Sequence, residues 1–502
     1  MRERSKEIAN DTNDSTNDST AQEFTNTGSQ MVVSLWPAHP PIPSRLSVHC
    51  KWMRPGHVFF QEPKILCAAD CFFVLRIAIG RSPPPINITQ KVSDYFIYQS
   101  ASSTGPSLKL LPHPHPHLFT DNEVGVLPRG NEFTIAVLSQ TSYYNFVLYL
   151  FKSEDWYWTS KKVLVDSPQI PFPMPLPPDH VHGHFQHLTN SVITIGSRGL
   201  VGWVDLWHGI LLYDVLRDDN DKVRLVPLPV RLGSHGGKAL ACCPKPYRSV
   251  AVLGDCLRLT EALLSWGIAS GDRLPGKDPE TRGPNIRIDD WTLTTYTNCD
   301  ITANPKDWKI NFTVKASAIQ IDTAMRSGLV RCGMLRKTEA AERNLQNLWT
   351  CQPVLSLNDQ GTVVYLITRV KFRHPKAWLL AVDMANEQVR AMAKIEAERS
   401  TALSLNYFPC RISSPATCLD GTTMPGLGDV AHNFSSILKV CYRVLEHRKY
   451  PKDGSTRYFP EDGGLGIEEG REEIKGERAW RALPLMCARD EKMWLRVFCC
   501  CR

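Results

Sequence analysis

A chain of 502 residues is too long for one compact core, and roughly 150 residues per domain predicts two or three units. Its 42% of hydrophobic residues and 13 tryptophans exclude a wholly disordered protein, because so much apolar surface can be buried. The formal charge of +7 comes without a concentrated basic run, so no nucleic acid is expected as a partner.

The N-terminal residues carry no targeting pattern. Residues 1–45 are polar and then rich in proline, and we expect disorder because they offer little surface to bury. No apolar stretch typical of a signal peptide precedes the first proline, and the most apolar window, residues 71–80, is half the roughly twenty residues that cross a membrane. The sequence therefore predicts a soluble protein of the cytoplasm or nucleus, without a membrane partner, whose 16 cysteines are reduced thiols.

Proline also divides the rest of the chain. Six prolines between Pro168 and Pro178 leave no room for a helix or an inner strand. Glycine, proline and charge alternate irregularly near the C-terminus. The predicted division is a disordered N-terminus (1–45), an N-terminal β unit (46–166), a proline-rich seam (167–180), a main β unit (181–415, core 200–400) and an irregular, partly disordered tail (416–502).

The clearest pattern lies at residues 199–229. Three short apolar runs rich in valine, isoleucine and tryptophan are separated by His208-Gly209 and by a polar cluster. Such punctuation is typical of antiparallel strands joined by tight turns. An amphipathic helix is the alternative, but Gly202 and Gly209 would each cost it about 1 kcal/mol relative to alanine.

A plan of strand, polar turn and strand recurs at residues 146–158, 210–225 and 378–391. Hairpins repeated over such a length predict a mainly β, propeller-like fold with few short helices; two packed β-sandwich units are the alternative. One amphipathic helix is expected within 327–351, and local preference favours a second at 386–399.

The run WVDLWHGILLYDVL, from Trp203 to Leu216, resembles the plant domain-of-unknown-function family DUF1618, which is expanded in grasses. Further matches extend the resemblance over roughly 146–413; they are residues 151–153, Trp158, 226–229, 378–384 and 408–413. The resemblance implies a plant protein with a propeller-like β architecture, and a strand in place of the helix at 386–398. The family has no established activity, so no catalytic residue is carried over. The motif residues expected to be structural are Trp203, Asp205, Gly209, Asp214 and Asp383.

Histidines offer the main candidate chemistry. His180, His182 and His184 would share one face of a strand and could hold zinc or copper. Asp179 is the nearest carboxylate, and a solvated loop is the simpler interpretation. The three histidines are therefore weak metal candidates, and no cofactor is expected.

The acidic residues have a structural interpretation as well. Two of the carboxylates Asp205, Asp214, Asp289 and Asp290 could act as an acid–base pair only if the fold brought them together. The shared context of Asp214 and Asp383, each shortly after Leu-Leu, predicts instead that both orient hairpin turns by accepting backbone N–H groups.

The resulting hypothesis is a non-enzymatic, β-rich module that binds one or more other proteins through its loops. A metal-dependent or hydrolytic enzyme using residues 180–187 is the alternative.

Overall fold

The computed structural model describes part of the chain, all of it within the larger compact unit formed by residues 1–231 and 243–445. The predicted seam at 167–180 lies outside the described residues, so the division into an N-terminal and a main β unit stays a prediction. The described residues are 16–51, 58–80, 93–114, 119–142, 144–166, 187–217, 221–229, 243–268, 286–337, 342–358, 360–372, 374–395, 408–412 and 434–444.

Strands dominate the described residues. The first three, β1 (Ala21–Phe24), β2 (Gln30–Trp36) and β3 (Ser44–Lys51), form an antiparallel sheet. Five sets of four consecutive antiparallel strands follow: β4 (Val58–Ala69), β5 (Phe72–Gly80), β6 (Ser93–Gln99) and β7 (Ser107–Leu110); β8 (Val124–Arg129), β9 (Glu132–Ser142), β10 (Asn145–Lys152) and β11 (Tyr157–Val165); β12 (Ser191–Ile195), β13 (Leu200–Asp205), β14 (Gly209–Asp214) and β15 (Lys222–Pro227); β16 (Arg248–Leu253), β17 (Cys256–Ile268), β18 (Ile286–Asn298) and β19 (Lys309–Lys315); and, beyond a short hairpin of β20 (Arg336–Lys337) and β21 (Glu342–Arg343), β22 (Trp349–Leu355), β23 (Val363–Arg369), β24 (Ala377–Asp383) and β25 (Gln388–Ile395).

The last two described strands return to the beginning of the chain. They are β26 (Phe408–Ile412) and β27 (Phe434–Val444), and they complete the first sheet in the order β1-β2-β3-β27-β26, with β27 parallel to β3. We call the five four-stranded sets blades 1 to 5 in chain order, and this closing sheet blade 6. Blades 2 and 3 are also joined at their outer edges, where β11 pairs briefly with β15 in parallel.

The first strands of the blades follow one another around a ring. β4 contacts β8, β8 contacts β12, β12 contacts β16, β16 contacts β22, β22 contacts β26, and β26 returns to β4. Blade 6 closes this ring by combining strands from both ends of the described chain. Radial sheets around a common centre are the arrangement of a β-propeller, so the predicted mainly β, propeller-like fold is confirmed.

The apolar core lies between blades. One buried cluster joins Met31 and Val33 of blade 6 to Phe73 of blade 1, and the next joins Phe72 of blade 1 to Ile135 of blade 2. Two more clusters fill the spaces between blades 2 and 3 and between blades 3 and 4. Neighbouring blades therefore bury their faces against each other, as sheets do when they pack.

The three predicted repeats occupy equivalent places in the fold. Residues 146–158, 210–225 and 378–391 contain the hairpins β10–β11, β14–β15 and β24–β25, which are the third and fourth strands of three blades. The pattern at 199–229 likewise becomes three strands, β13, β14 and β15. Both patterns were readable because hairpins depend on alternation and turn residues close in sequence.

Both helix predictions from local preference are wrong. Residues 386–399 instead contain strand β25, as the family resemblance implied, because pairing with β24 outweighs helix preference. The described part of 327–351 contains the end of helix α1 (Thr323–Arg331), then β20, β21, a short 3-10 turn (Leu345–Asn347) and the start of β22. The described residues include no helix with the length and apolar character of a membrane-spanning segment.

The expected disorder of residues 1–45 is wrong for the part that the structure describes. β2 contains the mostly apolar run Met31–Leu35, and all of its residues, including Ser34, are buried. The polar average composition of residues 1–45 concealed this run in the sequence. Blade 1 provides the surface that covers this part of the chain, and the Tyr98 hydroxyl of blade 1 donates to the Ser19 carbonyl at 2.6 Å.

One cysteine pair departs from the expected thiol state. Cys256 begins β17 and Cys299 follows β18, and the two form a disulfide across this hairpin, next to the paired residues Leu257 and Asn298. Cross-strand neighbours lie close enough for such a bond. The expectation that all cysteines are reduced is therefore wrong for this pair, whose 43-residue separation concealed it in the sequence.

The close approach of blades 2 and 3 predicts that Gly125 tolerates no side chain. A Cβ atom on Gly125 in β8 would lie 2.5 Å from Cγ1 of Val192 in β12, so we expect Gly125→Ala to lower the free energy of unfolding by about 1–3 kcal/mol. Gly196→Ala is the matched control, since a Cβ atom there meets no atom within 4 Å. Urea unfolding of both variants tests this, and equal effects would contradict it.

Candidate functional site

The strand order defines two faces of the ring. Each blade begins its first strand on one face, which also carries the turns between second and third strands; we call it the front face. The opposite, back face carries the turns between first and second strands and between third and fourth strands. In propellers, loops at such faces are positioned by the rigid blades beneath them.

Buried tryptophans link neighbouring blades. Trp203 in β13 is fully buried, and its indole N–H donates to the Glu123 carbonyl at the start of blade 2. Three further indole N–H groups of the described residues also donate to carbonyl oxygens of an adjacent blade or its connecting segment; the four bonds are Trp158 to Pro112 (2.9 Å), Trp203 to Glu123 (2.7 Å), Trp291 to Leu345 (3.1 Å) and Trp308 to Pro227 (2.9 Å). These tryptophans hold the ring together, since a buried indole needs such an acceptor.

Asp205 organises the front-face turn between β13 and β14. One carboxylate oxygen accepts from the backbone N–H of Trp207 at 3.0 Å, and the other from the backbone N–H of Leu188 at 2.9 Å and from Nδ1 of His208 at 2.9 Å. Burial alone would raise the pKa of Asp205, but the hydrogen bond and charge of His208 hold it below its usual value. The carboxylate therefore ties the segment that enters blade 3 to the central motif.

A histidine adjoining the weak metal candidates lies beneath this turn. His187 is buried, its backbone N–H donates to Oε1 of Gln140 in blade 2, and its ring packs edge-on against Phe146. Burial lowers the pKa of His187 to about 4, although the nearby Asp205 opposes this. The ring is therefore neutral at physiological pH.

A buried ion pair fixes the same turn to blade 4. Arg248 and Glu261 are direct cross-strand partners in β16 and β17, and the guanidinium contacts Oε1 of Glu261 at 2.5 and 2.8 Å. Arg248 also donates to the Leu206 carbonyl at 3.2 Å, and it lies 5.3 Å from the ring centre of Trp207. Sequence reasoning missed this pair; charged residues beside the apolar runs of two strands were the available signal.

Asp214 and Asp383 lie at equivalent back-face positions, where the third strands of blades 3 and 5 end. Asp214 accepts from the backbone N–H of Leu216 at 3.0 Å. Asp383 is fully buried and accepts from the backbone N–H of Ala385 at 3.0 Å and from Nε of Arg390 at 2.7 Å. Each carboxylate thus accepts a backbone N–H group of the turn that follows its strand.

The structure does not bring Asp205 and Asp214 together. Asp205 is paired with Gly209 and Asp214 ends the same strand, so five residues of extended chain, about 16 Å, separate their positions. Paired catalytic carboxyl groups work at roughly 5–10 Å. Gly209 itself is required sterically, because a Cβ atom there would lie 2.8 Å from the Val226 carbonyl oxygen.

The weak metal candidates His180, His182 and His184 lie outside the described residues. Across the segments that the structure does describe, no three His, Cys, Asp or Glu side chains are placed to hold a metal ion.

Residues 203–365 match the family model described as protein of unknown function (DUF1618). The predicted resemblance to DUF1618 is confirmed over these residues. The DUF1618 match begins in β13 with Trp203, includes Asp205, Gly209, Asp214 and the Arg248–Glu261 pair, and ends in β23. It thus runs from the second strand of blade 3 to the second strand of blade 5 and includes three of the four tryptophans that link blades.

No curated protein matches the chain. Among solved structures, the chain is similar to the WD40 domain of SCAP from fission yeast, with 9% identity over 76% of this chain and 77% of that chain and a TM-score of 0.27. It is also similar to hydrazine synthase of Kuenenia stuttgartiensis, with 9% identity over 72% and 76% of the two chains and a TM-score of 0.29.

The hydrogen bonds of Asp205 predict a structural penalty for its removal. Asp205→Asn leaves one carbonyl oxygen for four former donors and removes the charge beside His208, so we expect the free energy of unfolding to fall by about 1–3 kcal/mol. Asp214→Asn is the control, because Asp214 is partly exposed and accepts one backbone N–H. Urea unfolding should show the smaller loss for Asp214→Asn, and the reverse order would contradict the assignment.

The pKa of His187 predicts a pH-dependent stability. The unfolded chain takes up a proton near the usual pKa of 6.5, whereas the folded protein resists it until about 4, so this histidine destabilises the fold as pH falls through that window. Between pH 7 and pH 5, we expect the free energy of unfolding to fall less in His187→Gln than in the wild type, by on the order of 1–2 kcal/mol. Unfolding curves at both pH values measure the difference; parallel losses in the two proteins would refute it.

Proposed function

We propose that the protein is a non-enzymatic, β-rich interaction module that binds another protein through its front face. The observation that carries this proposal is that the polar groups of the DUF1618 motif are used inside the fold. Asp205 accepts N–H groups of its turn and of Leu188, Asp214 orients a back-face turn, and the indole of Trp203 joins two blades. Such a framework supports surface loops without itself providing reactive groups.

Exposed apolar side chains on the front face support a protein partner. Tyr144 precedes β10, Leu164 lies near the end of β11, and Leu188 precedes β12; each is between 42% and 54% exposed. Leu164 is the register partner of Asn145, next to Tyr144, and the Leu188 N–H is bonded to Asp205. We call these three side chains the front patch. Aromatic and aliphatic side chains at the rim of a fold are typical anchors for another protein.

The enzyme alternative depends on His180, His182 and His184, which lie outside the described residues, and it gains no observation from the site. Location in the cytoplasm or nucleus and plant origin both stay predictions from the sequence.

Proximity labelling with mass spectrometry tests the proposal. We expect partners of the intact protein to be lost from a variant with Tyr144→Ser, Leu164→Ser and Leu188→Ser, because these substitutions remove apolar contacts from the surface. The matched control carries Tyr157→Ser and Ile310→Ser, both at 55% exposed positions outside the front patch. Partners retained by the front-patch variant, or lost equally from the control, would contradict a front-face binding site.

A further inference from the structure

A group of charged side chains gathers at the centre of the front face. Asp121 and Asn122 lie in the turn just before β8, and Lys245 lies in the segment just before β16. Lys64 reaches this turn from β4 and Arg76 from β5. We call these five residues the axial cluster. They come from blade 1 and from the segments that enter blades 2 and 4.

The position of the axial cluster follows from one long-range contact. Nζ of Lys245 donates to Oδ1 of Asn122 at 3.0 Å, although 123 residues separate them. In the ring of first strands, β12 stands between β8 and β16. The hydrogen bond therefore bypasses blade 3 and joins the segments that enter blades 2 and 4 across the centre of the ring.

The cluster carries more positive than negative charge. Lys64, Arg76 and Lys245 provide three cations, and Asp121 is the carboxylate that they surround. Asp121 is already committed: its oxygens lie 2.8 Å from Nε and from Nη2 of Arg76, and 3.1 Å from Nζ of Lys64. Burial alone would raise the pKa of Asp121, but the charges of Arg76 and Lys64 hold it below its usual value.

Lys245 forms no ion pair with a carboxylate of the residues that the structure describes. Among the residues that the structure describes, its hydrogen-bond partner is the neutral amide oxygen of Asn122. Burial is the main cause that lowers the pKa of Lys245, and the positive charge of Lys64 acts in the same direction, whereas Cys243 and Asp121 oppose the shift. The nearby carboxylate of Asp121 is already bonded to Arg76 and Lys64, so an anion at this place would gain an ion pair with the Lys245 ammonium.

The neighbouring acidic residue does not supply this anion. Glu123 follows Asn122, but its carboxylate accepts the backbone N–H of Thr120 at 2.8 Å, and burial raises the pKa of Glu123 to about 7. The cluster also remains open to solvent, since the side chains of Lys64 and Asp121 are 45% and 24% exposed. A small ligand can therefore reach it.

We propose that the axial cluster binds a small molecule through an oxyanion group, with Lys64 and Lys245 as the charged donors. Two ammonium groups act as adaptable point charges toward an oxyanion, and Arg76 adds positive charge from behind Asp121. The Nδ2 group of Asn122 is a further donor, because its Oδ1 faces Lys245. Three cations and one carboxylate leave a formal +2, which matches a phosphate group of charge close to −2. This site is separate from the front patch and does not depend on a protein partner.

Isothermal titration of the full-length protein with inorganic phosphate tests the proposal, in buffers of constant ionic strength adjusted with potassium chloride. We expect phosphate to bind the wild type and to bind at least tenfold more weakly to a Lys64→Gln/Lys245→Gln variant. The control is Lys309→Gln/Lys315→Gln, which removes the same charge from exposed positions of β19 and should retain wild-type affinity. Succinate in place of phosphate distinguishes a carboxylate ligand from a phosphate ligand.

Two further variants keep the test decisive. Lys64→Gln alone changes a half-exposed side chain and should weaken phosphate binding even if the double variant fails to fold. Lys245→Arg keeps the positive charge and should bind phosphate within about threefold of the wild-type affinity. The proposal is overturned if neither anion binds the wild type, if the lysine variants bind as tightly as the wild type, or if the control loses affinity equally. Because the readout is a small anion, its failure is distinct from loss of protein partners.

Discussion

The ring depends on hydrogen bonds that buried tryptophans make between blades. A sheet can satisfy its own backbone groups, but an indole N–H at a sheet-to-sheet contact has to find an acceptor on the neighbouring sheet. Trp203 reaches the segment that enters blade 2, and Trp308 reaches the last residue of β15 in blade 3. Each bond fixes both the distance and the register of two blades. The apolar clusters between blades supply most of the burial, but they are not directional and would tolerate sliding.

The same requirement explains the buried charges of the DUF1618 region. Arg248 and Glu261 are almost completely enclosed, and such a pair is stable only if its hydrogen-bonding groups find partners. Arg248 finds them in Oε1 of Glu261 and in the carbonyls of Leu206 and Pro229, which belong to blade 3, whereas Oε2 of Glu261 has no hydrogen-bond partner among the described residues. Asp205 likewise accepts backbone N–H groups of that turn and of the segment that enters blade 3. The motif is therefore the junction at which blades 2, 3 and 4 meet, which accounts for its density of tryptophan, aspartate and glycine.

This use of the motif separates structure from recognition. The front patch consists of residues of blade 2 and of the entrance to blade 3, whereas the axial cluster lies where blade 1 and the entrances to blades 2 and 4 converge. Both are on the front face, because the segments that connect successive blades run there. A protein partner on the patch and a small anion at the axis would thus share one face while contacting different residues.

Local information determined the hairpins of this protein. Short apolar runs and the turn at His208-Gly209 are enough to predict β13 and β14, because cross-strand partners in a hairpin are near neighbours in sequence. The resemblance to DUF1618 added the strand at β25, which local helix preference contradicted.

Tertiary structure decided everything that depends on ring closure. Residues 327–351 have good helix formers, yet the Leu345 carbonyl accepts the indole N–H of Trp291 and the segment leads into β22. Among the described residues there, α1 is the α-helix and Leu345–Asn347 form a short 3-10 turn. The apolar run in β2 is ordered because blade 1 covers it, which average polarity conceals. The contact of Lys245 with Asn122 exists only because six sheets return to a common centre and bring side chains 123 residues apart within one hydrogen bond.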